Sequence, residues 1–176
     1  MYEIRIHGRG GQGAVTAAQI LAIAAFYKGK KSQAFPRFGT ERRGAPVESF
    51  TRIDTKTILI RSAVYRPDIV IVLDPSLLSS VDVTKGLKKN GFIIINSSKK
   101  TKPNGFTTYH VDATAIALKI FGRDIVNTAM LGALAAVSDI IDLKSLNRAV
   151  EDRFAGRKGM IEKNKQAIKE VYEKLK

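Results

Sequence analysis

Four glycines within six residues, Gly8-Arg9-Gly10-Gly11-Gln12-Gly13, join an extended opening segment to a long apolar helix, and this joint restricts the fold more than any other stretch of the chain. Upstream, Tyr2-Glu3-Ile4-Arg5-Ile6-His7 alternates apolar and polar side chains, the period of a strand with one face buried. Downstream, Ala14 to Lys28 contains no proline and carries Ala, Leu and Gln residues that favour helix. Glycine suits the joint because the backbone reverses in little space and positive φ costs glycine nothing. The first N–H groups of the helix leave the turn unpaired, with the positive end of the helix dipole behind them, so the turn favours an anion such as phosphate or pyrophosphate. The six residues satisfy G-x-G-x-x-G between a strand and a helix, the context in which that pattern has physical meaning. A nicotinamide-binding domain also needs an acidic residue about twenty positions on. Here that region reads Lys28-Gly29-Lys30-Lys31-Ser32-Gln33, without a carboxylate. A plainer reading, glycines that merely let helix and strand pack closely, stays open.

Strands and helices alternate through the remaining chain, and 176 residues suffice for one ordinary domain. The expected fold is α/β, a three-layer α/β/α Rossmann-like domain with a mixed β-sheet over residues 1–176. Lys31–Phe35 reads as a short strand, and Phe35–Pro46 as a loop bracketed by prolines and glycines. Val47–Ile53 and Thr57–Ile60 read as an antiparallel hairpin around Asp54-Thr55-Lys56. Ile69–Leu73 and Gly91–Asn96 have the continuous apolar look of strands buried on both faces. After the first of these, Asp74 caps a helix that Pro75 can begin. Thr107–Val111 reads as a further strand, Asp112 as the cap of helix Ala113–Phe121, and Asn127–Ile140 as a second helix. Asp142 caps the next helix, Leu143–Phe154, and a lysine-rich amphipathic helix follows Gly156 and Gly159. The first helix and Asn127–Ile140 are apolar around almost their whole circumference, which predicts that other chains cover part of them.

Thirty Lys and Arg against sixteen Asp and Glu give a formal charge of +14. Nucleic acid, an acidic protein surface or a polyphosphate ligand would each match that excess. Few aromatics interleave with the basic residues and no nucleic-acid module is legible, so an acidic partner surface fits at least as well. Phe38 and Arg37, Arg42 and Arg43 crowd one loop, the kind of segment that touches something, although pairing with Glu41 and Glu48 is the plainer use of those arginines. The absence of cysteine removes disulfides, thiolate zinc sites and iron–sulfur ligation. No metal spacing, P-loop or triad is legible, and His7 and His110 read as hydrogen-bonded structural histidines. The chain looks able to bind and not to react, with no catalytic residue of its own. No charged-then-apolar leader and no apolar run of about eighteen residues is present, so neither secretion nor membrane spanning is indicated, and the expected compartment is the cytoplasm.

Gly8–Gly13 as G-R-G-G-Q-G, Phe38–Val47 as F-G-T-E-R-R-G-A-P-V, Asp74–Leu77 as D-P-S-L and Asn127–Ala133 as N-T-A-M-L-G-A together resemble the gamma subunit of 2-oxoacid:ferredoxin oxidoreductases, in the pyruvate and 2-ketoisovalerate branch. The resemblance spans nearly the whole chain. It implies a heterotetrameric enzyme that oxidatively decarboxylates a 2-oxoacid such as pyruvate, transfers the acyl group to coenzyme A (CoA) and passes electrons to ferredoxin. It also implies thiamine diphosphate and magnesium on the alpha and beta subunits, iron–sulfur clusters on beta and delta, and a gamma subunit that holds no redox centre. CoA becomes a candidate ligand, with Gly8, Gly10, Gly11, Gln12 and Gly13 contacting an anion through the backbone. Arg37, Arg42 and Arg43 would supply charge to CoA or to a neighbouring subunit. The 2-oxoglutarate and indolepyruvate branches, a stand-alone nucleotide-binding reductase and a nucleic-acid-binding protein are the alternatives.

Overall fold

Strand β1 (Tyr2–Arg9) sends Ile4 and Ile6 into the main hydrophobic core and Arg5 and His7 to the opposite face of the sheet. The structure, a computed structural model of the chain, describes residues 1–37 and 43–176. From β1 the glycine turn leads into α1 (Ala14–Tyr27), then to β2 (Lys31–Pro36) and β3 (Pro46–Asp54). β4 (Ile69–Val72), β5 (Phe92–Asn96) and β6 (Thr107–Val111) follow, with 3-10 turns at Pro75–Ser79 and Pro103–Gly105 between them. Four helices end the chain: α2 (Ala113–Phe121), α3 (Ala129–Val137), α4 (Leu143–Arg153) and α5 (Lys158–Glu173).

The sheet order is β2-β3-β1-β4-β5-β6. β1, β4, β5 and β6 are parallel, and β3 runs antiparallel to both β1 and β2, so the α/β class and the mixed sheet expected from the sequence are present. The proposed hairpin is not. Both edges of β3 are occupied, by β1 from Ile53 opposite Tyr2 and by β2 from Asp54 opposite Lys31, so Thr57–Ile60 has no edge to join and continues as coil.

The five α-helices contribute to one core with Ile4, Ile6, Ile69, Ile71 and Ile94. Alanines Ala14, Ala17 and Ala18 let α1 lie close to the sheet, close enough for Ser49 Oγ and Thr51 Oγ1 of β3 to donate to the carbonyls of Ala14 (2.8 Å) and Ala18 (3.1 Å). α3 lies between α5, α4 and β5, and α1 between the sheet and α4. The all-round apolar character of α3 and of most of α1 is thus satisfied inside the chain, so of the surface that other chains were expected to cover in part, the large apolar side chain still exposed is Phe26 of α1, 65% exposed. Gly132, from the N-T-A-M-L-G-A segment, sits where a Cβ would fall 2.2 Å from the Ile168 carbonyl oxygen, so α3 and α5 meet backbone to backbone. α3 is shorter than expected because Ser138 turns extended. Asp112 and Asp142 cap α2 and α4 as the sequence indicated, Asp142 in a reciprocal pair with Ser145.

The opposite face carries a smaller core of Val70, Val72, Leu77, Val83, Ile93 and Ile95, and 3-10 turns and coil cover it instead of α-helix. After Asp74 only the 3-10 turn Pro75–Ser79 forms where a helix was expected. Coil carbonyls need donors, and two arginines of the sheet supply them. Arg52, 1% exposed, donates from Nε to Glu3 (2.9 Å) and from its terminal nitrogens to the carbonyls of Ser62 (2.8 Å), Ala63 (3.3 Å) and Ile60 (3.4 Å). Arg5 donates to the carbonyls of Val83 (2.9 Å) and Lys85 (2.7 Å). Among the described residues no helix is long and apolar enough to cross a membrane.

Two substitutions test this packing. Gly132→Ala should lower stability by about 2 kcal/mol through overpacking, whereas Gly159→Ala in α5, where an added Cβ meets nothing, should be neutral or stabilising in the same denaturant titration. Arg52→Lys keeps the charge but not the fork, and should cost about 3 kcal/mol while speeding amide exchange in residues 57–66.

Candidate functional site: the glycine turn at the end of the central strand

From β1 the chain first moves to β2 and β3 on one side and then to β4 on the other, so the sheet order reverses at β1. The carboxyl end of the strand at such a reversal is where open α/β sheets offer a crevice, and the glycine turn occupies it. Gly11 and Gly13 have φ of 95° and 78°, values that strain any other residue. A Cβ on Gly13 would lie 2.4 Å from Asn127 Nδ2, and one on Gly8 would lie 3.3 Å from Leu73 Cδ1. Gly13 is itself the N-cap of α1, without a capping side chain and without an acidic residue in the first turn. The dipole at this helix start is therefore not neutralised by its own sequence.

Neighbouring strands brace the turn. Gln12 Oε1 accepts from the Arg9 N–H at 2.7 Å, and Gln12 Nε2 donates to Asp74 Oδ2 at 3.1 Å. Arg9 Nε donates to the same Asp74 oxygen at 3.0 Å, and its terminal nitrogens reach Ser76 Oγ (2.7 Å) and the Gly44 carbonyl (3.0 Å). Asp74 Oδ1 accepts from Ser76 N and Oγ. Burial alone would raise the Asp74 pKa, but the Ser76 and Gln12 hydrogen bonds and the Arg9 charge outweigh it and hold the carboxyl below its ordinary range. Asp74 thus caps its 3-10 turn, as the sequence suggested, and also fastens the glycine turn, which the sequence reading missed. The available signal was topological: parallel β1 and β4 end side by side, so residues just past both ends must meet.

The loop after β2 approaches from the other side. Gly10 donates to the Ala45 carbonyl (2.8 Å) and accepts from Gly44 N (3.0 Å), Gly10 and Arg43 form a parallel bridge, and Gln12 N donates to the Arg9 carbonyl (2.9 Å), so the N–H groups of Gly10 and Gln12, expected to meet an anion, are instead used inside the chain. Arg43 Cγ lies 4.0 Å from the position of a Cβ on Gly11, so this arginine stands at the turn. Arg37 does not. It pairs with Glu48 at 2.7 Å and lines a cleft on the helix-free face, the plainer use considered for it above. Arg42, Phe38 and Glu41 lie outside the described residues. On the α1 side, Asn127 Nδ2 donates to the Gly13 carbonyl at 3.3 Å, while Asn127 Oδ1 and Thr128 Oγ1 are buried without a hydrogen-bond partner among the described residues.

Residues 3–174 match the family described as pyruvate ferredoxin/flavodoxin oxidoreductase. The chain belongs to that family. It is similar to pyruvate synthase subunit PorC of Methanocaldococcus jannaschii, with 57% identity over 175 residues that cover 99% of this chain and 97% of that protein. The common gamma subunit of the pyruvate/ketoisovalerate oxidoreductases of Pyrococcus furiosus is 55% identical over 183 residues, covering 99% and 97%. The crystal structure of pyruvate oxidoreductase subunit PORC from Thermotoga maritima superposes with a TM-score of 0.85 at 42% identity, covering 98% of this chain and 95% of that one. As a member of the oxidoreductase family the chain is a gamma-type subunit.

Asp74 is engaged by Arg9 and Gln12, and among the described residues no group of three or more His, Asp or Glu is placed to hold a metal ion. His110 Nε2 accepts from Thr101 N at 3.0 Å, in keeping with a structural role. His7 departs from that expectation. Its Nδ1 lies 3.7 Å from Glu48, beyond hydrogen-bond reach, and its Nε2 is buried without a partner among the described residues. Burial first, and then the Arg5 charge, push its pKa down to about 4, so near neutral pH it is an uncharged ring and its approach to Glu48 is no ion pair.

Between pH about 6.5 and about 4 the unfolded chain binds a proton at His7 that the folded chain refuses, so stability should fall with pH through that window, by about 3 kcal/mol in all. His7→Leu should flatten this slope in denaturant midpoints measured from pH 7 to pH 4.5.

Proposed function

We propose that the chain acts as the gamma subunit of a pyruvate:ferredoxin oxidoreductase that also serves ketoisovalerate-type 2-oxoacids, and that its glycine turn contacts the diphosphate of CoA. The end-to-end match to gamma and PorC subunits carries the first half of this reading. The second half rests on an uncapped helix start with two positive-φ glycines, Arg43 beside it, and the orphaned Asn127 Oδ1 and Thr128 Oγ1 next to Gly13. A diphosphate presents acceptors to backbone N–H groups and negative charge to the dipole and the guanidinium. Asn127 Oδ1 can accept from a pantetheine N–H or hydroxyl, and the Thr128 hydroxyl can donate to a phosphate or amide oxygen. Asp74 does not oppose this, because Arg9 offsets its charge.

In this reading thiamine diphosphate, magnesium and the iron–sulfur clusters belong to the alpha, beta and delta subunits, and electrons reach ferredoxin through those partners. This chain holds the acyl acceptor near the site where the 2-oxoacid is decarboxylated. The chemistry of bond breaking lies outside it.

Calorimetric titration with CoA, with 3′-dephospho-CoA and inorganic pyrophosphate as comparison ligands, tests the ligand half. Arg43→Ala should weaken CoA about tenfold, the worth of one charge-assisted hydrogen bond, and Gly13→Ala should abolish saturation. Arg42→Ala in the same series asks whether the neighbouring arginine shares the task. Unchanged affinity in the Arg43→Ala and Gly13→Ala variants would remove CoA from this turn while leaving the subunit assignment intact.

A further inference from the structure

Three of the exposed large apolar side chains cluster within seven residues. Leu59 is 81% exposed, Tyr65 73% and Ile60 44%, and all belong to the coil that carries the chain from β3 to β4 across the helix-free face. The others among the described residues are Met1 and Tyr2 at the start of β1, Phe26 in α1 and Leu118 in α2. The coil is not loosely held. Arg52 fixes the carbonyls of Ile60, Ser62 and Ala63, and Gly86 presses so closely that a Cβ there would lie 2.1 Å from the Tyr65 carbonyl oxygen. The apolar side chains are thus displayed from a fixed backbone, which lowers the entropy lost on docking.

Tyr65 also forms one wall of a cleft of about 400 Å³ whose other lining residues include Phe35 and Phe50, with ring centroids 5.4 Å apart, and Arg61 and Lys85. The two carboxylates of this cleft are already engaged. Glu48 pairs with Arg37 at 2.7 Å, and Asp82 accepts from Thr84 Oγ1 at 2.6 Å and Thr84 N at 3.0 Å. Neither Arg61 nor Lys85 forms an ion pair among the described residues, and although Lys85 feels the Asp82 charge, Arg5, Arg37, Arg61 and Lys85 outnumber Glu48 and Asp82 in the lining, so the surface presents apolar anchors next to an excess of positive charge. An apolar patch in a basic setting selects its complement.

We propose that the helix-free face around residues 57–66 and the adjoining cleft is a docking surface for a segment of a partner subunit that presents an aromatic or aliphatic side chain flanked by carboxylates. The apolar side chain enters between Tyr65 and the Phe35–Phe50 pair, and the carboxylates meet Arg61 and Lys85. This rests on the subunit reading above, and it uses the helix-free face of the sheet, whereas the glycine turn lies at the carboxyl end of β1.

The test uses the full chain co-expressed with the other subunits of its complex. Two double variants are compared with the wild type, Leu59→Ser with Tyr65→Ser and Arg61→Glu with Lys85→Glu; the four side chains are exposed, so each isolated variant should melt within a few degrees of the wild type. Native mass spectrometry reads assembly, and amide exchange compares residues 57–66 and 82–86 in the complex and in the isolated chain. The expected result is protection of both segments in the wild-type complex, at least tenfold less assembled complex for each variant, and weaker assembly as salt rises from about 0.1 to about 0.5 M. A wild-type complex in which these segments exchange as in the isolated chain, or variants that assemble normally, would overturn the docking surface and leave the subunit reading standing. Self-association of the isolated chain that both variants abolish would also overturn it, by assigning the face to a second copy. If the wild type fails to assemble at all, the subunit reading falls, and this proposal with it.

Discussion

The guanidinium groups of Arg52 and Arg5 stand where a second layer of helices would otherwise be needed. Both rise from strands of the sheet into its helix-free face, and both spend their donors on carbonyls of irregular chain. A sheet strand can leave backbone coil against it only if the coil's acceptors are answered, because a buried carbonyl without a donor costs free energy comparable to a lost hydrogen bond. Arg52 is additionally stacked over Phe35, with its central carbon 5.1 Å from the ring centroid, and is neutralised by Glu3. These contacts make β3 and β1 the frame on which residues 57–66 and 82–86 are laid. They also explain why all five helices can gather on the other face without leaving the first one unprotected.

The glycine turn depends on the same frame at its other end. β1 lies between an antiparallel and a parallel neighbour, and the turn at its end is held from both sides: through Gly10 by the chain leading into β3, and through Arg9 and Gln12 by Asp74 beyond β4. The glycines thereby acquire a defined shape, in which the N–H groups of Gly10 and Gln12 are spent on the Ala45 and Arg9 carbonyls. The proposed contact with a diphosphate would draw on backbone and dipole at this point and on no acid, base or metal.

Local signals made much of this legible in advance. The period-2 alternation of Tyr2–His7, the glycine turn, the apolar runs at Ile69 and Ile93, and Asp112 and Asp142 as caps each act over a few residues, and each is present in the structure. The errors arose where the answer depended on distant partners. Thr57–Ile60 has strand-like composition, but β2 had already taken the edge it needed. α1 and α3 looked too apolar for a small domain, because nothing local shows that α4 and α5 fold back over them or that Gly132 lets α5 approach. At the turn, the glycines were legible from spacing; of the basic loop residues Arg43 stands beside them and Arg37 is drawn to Glu48, and the bracing role of Asp74 required knowledge that β1 and β4 are adjacent. His7 was misread for the same reason: a strand residue's environment is set by what covers the sheet, here coil without a partner for its ring.

The segment between Arg37 and Arg43 is anchored at both feet, since Arg37 N donates to the Glu48 carbonyl at 2.9 Å and Gly44 N to the Gly10 carbonyl at 3.0 Å. Both bonds run from main chain to main chain. The points at which the chain leaves the sheet and rejoins it are therefore set by backbone geometry, and the side chain of Arg37 is left to find Glu48 on its own.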